Sequence, residues 1–130
     1  MNDHLRKTAC VLLVDDDPAS NYLARQLIEE IDGSIQVCTS RNGTEALAFL
    51  DGCMVTGNCP DLVLLDLQMP GMDGFAFLEA LQSSFNPPKR IYVLTSSYFH
   101  GDVERASGFR IAGFLSKPIS AEQLQQILVP

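Results

Sequence analysis

Three consecutive carboxylates, Asp15, Asp16 and Asp17, follow directly on the apolar run Ala9 to Val14. A fourth, Asp66, ends the run Leu62 to Leu65, while Thr95, Ser96 and Ser97 end Ile91 to Leu94 and Lys117-Pro118 lies just past Ile111 to Leu115. In open α/β sheets ligands bind beyond the carboxyl ends of the strands, so four polar clusters placed there should meet on one edge. Two carboxylates ~4 Å apart at an effective dielectric of ~20 repel by ~4 kcal/mol, so a group of three needs a cation or protons among them. A hard divalent cation answers that need. Mg2+ takes octahedral oxygen ligands, keeps several waters and is commonly held by one or two carboxylates and a phosphate oxygen, which matches Asp16 and Asp66 with Asp15 in support. Ca2+ would want more oxygen ligands than the sequence supplies. A carboxylate beside Mg2+, a hydroxyl and a lysine is a site for a phosphoryl group in transfer, because that step is catalysed mostly by positioning and charge neutralisation. Asp66 is the natural nucleophile, able to form an acyl phosphate. Lys117 and Thr95 are placed to contact phosphoryl oxygens opposite the metal, with Ser96 a further candidate contact. Taken singly, each residue has a plainer reading: strand-end Asp residues cap helices, Thr95 and Ser96 serve in turns, and an isolated Lys is solvated. Asp17-Pro18 is read in that plainer way, as the start of a helix.

The elements that must position these residues follow from the hydrophobic pattern. Five short apolar runs alternate with stretches of helical spacing, the mark of a parallel sheet with crossover helices. The strands expected are Ala9 to Val14, Ile35 to Thr39, Leu62 to Asp66, Ile91 to Thr95 and Ile111 to Leu115. The third and fourth are nearly continuous apolar runs, which puts the middle of the sheet there. Leu23, Leu27, Ile28 and Ile31 make the apolar stripe of a helix over about Ala19 to Ile31. Ala46, Leu47, Phe49 and Leu50 make a second after Asn42-Gly43, and Phe75, Leu78 and Leu81 a third from near Asp73. A weak fourth is expected around Asp102 to Ser107, flanked by Gly101 and Gly108. The last opens at Ser120 as N-cap and carries Leu124, Ile127 and Leu128.

The 130 residues fit one domain, read as 1–130 with a core over about 8–129 and no output domain. At 46% hydrophobic and 19% charged, with a mean hydropathy of +0.09, the chain can bury a core, which excludes a disordered or collagen-like polymer. A net charge of −7 and a pI near 4.6 repel phosphates, so direct nucleic-acid binding is disfavoured. No apolar run approaches the ~20 residues of a membrane span, and Met1 to Lys7 lacks a signal-peptide pattern, so a cytoplasmic protein without membrane contact is expected. Cys10 and Cys38 fall in apolar runs and Cys53 and Cys59 in a Gly-containing loop, so the four are expected as reduced thiols rather than a disulfide framework or a zinc site. His4 and His100 read as surface residues.

The whole set resembles the receiver domains of two-component response regulators, among which the single-domain chemotaxis regulator is the simplest. The resemblance rests on Val14 to Asp17, on Leu64 to Gly74 (LLDLQMPGMDG), on Leu94 to Ser97 and on Phe114 to Pro118, in family order across nearly the whole chain. It implies a doubly wound, flavodoxin-like three-layer α/β/α fold with a five-stranded parallel sheet in order 2-1-3-4-5. It implies Asp66 as phospho-acceptor, Asp15 and Asp16 as the acidic pair serving Mg2+ with Asp66 itself, and the backbone carbonyl of Gln68 as the remaining protein ligand. Lys117 would pair with the phosphoryl group, and Thr95 with Phe114 would form a switch, the hydroxyl moving toward phosphate as the ring turns inward. A phosphoryl group of charge near −2 would recruit the Thr95 hydroxyl by a charge-assisted hydrogen bond and so remodel the outer face of strands four and five. Ile91-Tyr92-Val93 and the weak fourth helix are expected to contribute to that partner surface. The Cys53 to Pro60 loop is longer than many receivers carry and reads as an inert local insertion.

The function implied is that of a stand-alone receiver, a monomer or weak dimer. It would take phosphate from a sensor histidine kinase or a histidine phosphotransfer protein and act on a further protein. It would be a signalling domain rather than an enzyme. The alternatives are a receiver cut from a larger regulator or hybrid kinase, or one that is never phosphorylated. A haloacid-dehalogenase-like phosphatase is disfavoured because Gln68 stands where an acid/base Asp is needed. A flavodoxin-like FMN binder is disfavoured because the Asp-rich loop after the first strand would repel a cofactor phosphate.

Overall fold

The structure is a computed structural model that describes residues 8–57, 59–67, 74–83, 88, 90–95 and 104–128. Five strands, β1 (Cys10–Val14), β2 (Gln36–Ser40), β3 (Leu62–Asp66), β4 (Arg90–Thr95) and β5 (Gly113–Ser116), form one parallel sheet in order β2-β1-β3-β4-β5. Helices α1 (Pro18–Ile31), α2 (Gly43–Thr56), α3 (Gly74–Gln82) and α4 (Ala121–Leu128) cover its two faces. This is the doubly wound α/β/α architecture expected, with strand bounds within two residues of those drawn from the apolar runs. Between β4 and β5, residues 104–106 are helical, within the weak helix expected around Asp102 to Ser107. Asp102 itself lies outside the described residues, as do His4, Gln68, Ser96 and His100.

The alternation of side chains along each strand divides the core in two. Leu12, Val14, Val63, Leu65, Ile91 and Val93 pack with Ala46 and Leu50 of α2 and with Phe77, Leu78 and Leu81 of α3. Val11, Leu13, Leu62, Leu64, Leu94 and Leu115 pack on the other face with Ala24 and Ile28 of α1 and Leu124 and Leu128 of α4. β1 and β3 are buried along their whole length, whereas β4 is interrupted by half-buried Arg90 and Tyr92. The sheet's middle is β3, flanked by β1 on one side and β4 on the other, which includes the two strands expected there. Arg90 donates to the Ile127 carbonyl and to the Thr8 hydroxyl, tying β4 to α4 and to the start of β1.

Side-chain caps define the helix starts. Asp17 accepts from the Ala19 amide at 3.0 Å with Pro18 in the first turn, as its sequence signature required. Asn42 accepts from the Glu45 amide at 2.8 Å, while Glu45 accepts from the Arg41 amide and is held below the usual carboxylate pKa chiefly by that hydrogen bond. Ser120 and Gln123 form a reciprocal capping box, each side chain accepting from the other's amide at 3.2 Å.

Two expectations are corrected. Cys53 and Cys59 are joined by a disulfide, with Cα atoms 4.9 Å apart, whereas all four cysteines were expected as free thiols. The reason is that α2 runs on to Thr56, so Cys53 belongs to its last turns, and Gly57, in the left-handed region at φ 82°, reverses the chain and brings Cys59 back beside it. Residues 53–56 are therefore the end of a helix rather than part of a loop. Cys10 and Cys38 are free. Ile91 and Val93 cannot contribute to a partner surface, because both are buried in the core; Tyr92, half-buried on the other face, lies against Gly113.

Candidate functional site

Asp15, Asp66 and Lys117 continue three rows of side chains that begin inside the sheet. Asp15 follows Val11 and Leu13, Asp66 follows Leu62 and Leu64, and Lys117 follows Leu115, each at the strand period of two on the face that carries α1 and α4. The Asp15 amide donates to the Ser40 carbonyl at 3.0 Å, extending the β1–β2 ladder by one residue. Likewise the Lys117 amide donates to the Thr95 carbonyl at 2.9 Å, extending β4–β5. The core rows thus end in charge at the carboxyl edge, and the register of the parallel strands sets those charges side by side.

Lys117 Nζ lies 3.0 Å from one Asp15 carboxylate oxygen and 3.1 Å from one of Asp66. Both aspartates are buried, Asp15 at 2% and Asp66 at 7% relative exposure, whereas Asp16 is exposed. Burial alone would lower the Lys117 pKa; the hydrogen bonds and charges of Asp15 and Asp66 outweigh it, and the net shift is upward. Lys117 is therefore a fixed cation at neutral pH. One oxygen from each of Asp15, Asp16 and Asp66 falls within 4.8 Å of the others. Three carboxylates against one ammonium leave the cluster net negative, and an all-oxygen donor set of that size fits a hard divalent cation such as Mg2+.

Of the residues singled out in the sequence, Asp15, Asp16, Asp66 and Lys117 come together. Thr95 ends β4 on the same edge, opposite Ser116 in register, but by alternation it extends the row of Ile91 and Val93 on the face of α2 and α3. Phe114 pairs with Val93 and packs half-buried against that same core. Thr95 and Phe114 therefore share one face of the sheet, and the carboxylate–lysine group occupies the other.

Sequence reasoning passed over the residues that hold the site in place. Asn21, buried in α1, donates its amide to the Asp15 carbonyl at 2.9 Å, and the Asp17 amide donates to the Asp15 carboxylate at 3.0 Å. Gly74 opens α3 against the end of β3, its amide donating to the Leu67 carbonyl at 3.1 Å. A Cβ there would lie 2.5 Å from Leu67 Cα and 2.9 Å from the Asp66 carbonyl oxygen, so only glycine fits. The motif Asp73-Gly74 was visible in the sequence; the close approach that requires it was not. A pocket between α1 and the strand ends, lined by Leu13, Asp15, Asn21, Leu23, Lys117 and Pro118 among others, opens beside the site.

A family model for the response regulator receiver domain matches residues 11–129. The chain is 33% identical over 119 residues to a positive alginate biosynthesis regulatory protein of Pseudomonas aeruginosa, covering 91% of this chain and 45% of that protein. It is 28% identical over 130 residues to the signal transduction histidine-protein kinase BarA of Escherichia coli, covering 99% of this chain and 13% of the kinase. The chain thus spans less than half the length of either relative. Among solved structures, a two-component response regulator from Cytophaga hutchinsonii superposes with a TM-score of 0.82 at 27% identity, over 93% of this chain and 94% of that one.

Proposed function

Because this chain belongs to the response regulator receiver family, we propose that Asp66 accepts a phosphoryl group from a phosphohistidine of a partner protein, in a reaction that requires Mg2+. The observation that carries the reading is the pairing of one lysine with two buried aspartates, Asp15 and Asp66, beside a third carboxylate at the edge of the sheet. In the transfer, an Asp66 carboxylate oxygen attacks phosphorus, an O–P bond forms, the N–P bond of the donor breaks, and the imidazole nitrogen keeps the electron pair. Asp15, Asp16 and Asp66, with the carbonyl of Gln68, would hold Mg2+, which when bound supplies charge neutralisation for phosphoryl oxygens. Lys117 supplies the second positive charge; its ammonium already lies within hydrogen-bond reach of the acceptor and needs only to exchange a carboxylate oxygen for a phosphoryl oxygen. Asp17 and Asn21 keep Asp15 oriented through its carboxylate and its carbonyl.

The phosphorylated form is read by another protein. The Thr95 hydroxyl, with Ser96, would bond the phosphoryl oxygens, and movement of the Thr95 segment would shift the Phe114 ring, which lies on the same face of the sheet. On this reading the chain is a phospho-acceptor whose partners are a sensor histidine kinase or histidine phosphotransfer protein and a downstream protein target, working in the cytoplasm. The test is intact-mass spectrometry after incubation with acetyl phosphate, with and without Mg2+, on the wild type and on Asp66→Asn. The expected result is a Mg2+-dependent gain of one phosphoryl group that the variant lacks. Equal uptake by Asp66→Asn would refute the acceptor assignment, and no uptake from acetyl phosphate or a phosphohistidine protein would make the chain a binding module that is never phosphorylated.

A further inference from the structure

The disulfide lies at the end of the sheet opposite the acidic site. β3 separates them: Cys59 precedes its first residue, Leu62, and Asp66 is its last, a span of about 13 Å along the strand. The two sulfurs differ in environment. Cys53 is 5% exposed, packed from α2 into the core, whereas residue Cys59 is solvent-exposed. The Leu50 carbonyl lies 3.0 Å from Cys53 Sγ, so a thiol at this position would find an acceptor already in place. Of the other two cysteines, Cys10 is a poor competitor. Cys10 is buried, and burial, aided by Cys38 and Asp61, pushes its thiol up to about 11, which leaves it protonated and unreactive.

We propose that Cys53 and Cys59 form a reversible thiol–disulfide exchange site, opened by a dithiol reductant that attacks the sulfur of Cys59, the solvent-exposed residue of the pair. One thiolate of the dithiol bonds to Cys59 Sγ, the Cys53–Cys59 bond breaks, and Cys53 leaves as a thiolate that takes up a proton and donates to the Leu50 carbonyl. The second thiolate of the reductant then attacks its own sulfur in the mixed disulfide and releases Cys59, which is protonated by water. Two electrons and two protons pass to the protein, and the dithiol leaves as a disulfide. Both states are satisfied structurally: the oxidised form cross-links the end of α2 to the segment entering β3, and the reduced form places one thiol in the core with a partner and the other in water. The segment controlled by the exchange includes Asp61, whose carboxylate accepts from the amides of Ala9 and Cys10 at 2.8 and 2.9 Å and so anchors the start of β1.

The proposal is independent of the phosphoryl-transfer reading. Its test is alkylation of the folded protein with N-ethylmaleimide, read by peptide mass, on protein isolated without reductant, after dithiothreitol, and after return to oxidised glutathione. Cys59 is expected to resist labelling at first, to label after dithiothreitol without denaturant with buried Cys53 following more slowly, and to resist again after reoxidation. In Cys59→Ser, labelling of Cys53 should no longer depend on the reductant; continued dependence would assign it another partner and overturn the site. A disulfide that yields to dithiothreitol only in denaturant would be a fixed cross-link, and cysteines that label at the outset and are not protected by oxidised glutathione would show no exchange site at all.

Discussion

Replacing Gly74 by alanine tests whether the close contact between the start of α3 and the end of β3 holds the acceptor in place. The added Cβ would stand 2.5 Å from Leu67 Cα and 2.9 Å from the Asp66 carbonyl oxygen, both backbone atoms that cannot turn aside. Relief requires moving the first turn of α3, which carries buried Phe75, Phe77 and Leu78, away from β3. Overpacking of this kind costs ~1 to 3 kcal/mol. The better helix propensity of alanine, at most ~1 kcal/mol in a helix interior and less at a first turn, offsets little of it. A net ~2 kcal/mol, at ~2.1 cal/mol/K per residue over 130 residues, lowers Tm by about 7 °C. Gly52 is the internal control. It lies within α2 with no atom within 4 Å of its notional Cβ, so Gly52→Ala should raise stability by ~0.5 to 1 kcal/mol. Paired thermal melts in Mg2+-free buffer decide the matter. A Gly74→Ala protein that melts with the wild type, or shifts upward as Gly52→Ala does, would refute the close-contact argument.

Lys117→Ala should destabilise the protein by ~3 kcal/mol in EDTA, since it leaves Asp15 and Asp66 buried without their shared cation, and Mg2+ should restore more stability to the variant than to the wild type; equal Mg2+ responses in the two melts would contradict the site's electrostatics. Asp61→Ala removes the acceptor for the Ala9 and Cys10 amides and should cost ~1 to 3 kcal/mol by urea denaturation, with faster hydrogen exchange at Cys10. Because burial holds the Cys10 thiol at about 11, only ~0.1% is thiolate at pH 8, so in the folded state it should label far more slowly than Cys38, and faster as pH is raised toward 11. Comparable rates for Cys10 and Cys38 at pH 8 would count against that burial.

Local signals made much of the protein legible. The apolar runs yielded all five strands because a strand buried in a parallel sheet must be apolar nearly throughout, and β3 matched at both ends. Asp17-Pro18, Asn42 and Ser120 marked helix starts because a cap is a contact between residues two or three apart, which spacing alone reveals. The acidic residues and Lys117 were legible as strand ends, since the chemistry of that edge follows from topology. What needed the tertiary structure were contacts between distant residues. The register of β1, β3 and β5 decided that Lys117 sits between Asp15 and Asp66 and that Thr95 and Phe114 occupy the opposite face. Nor does sequence show why Gly74 must be glycine, or that Arg90 reaches Thr8 and Ile127, because neighbours supplied by the packing of other elements leave no periodic trace. The disulfide belongs with these. Cys53 and Cys59 read as loop thiols until the helix was seen to carry the first, and Gly57 to turn the second back upon it.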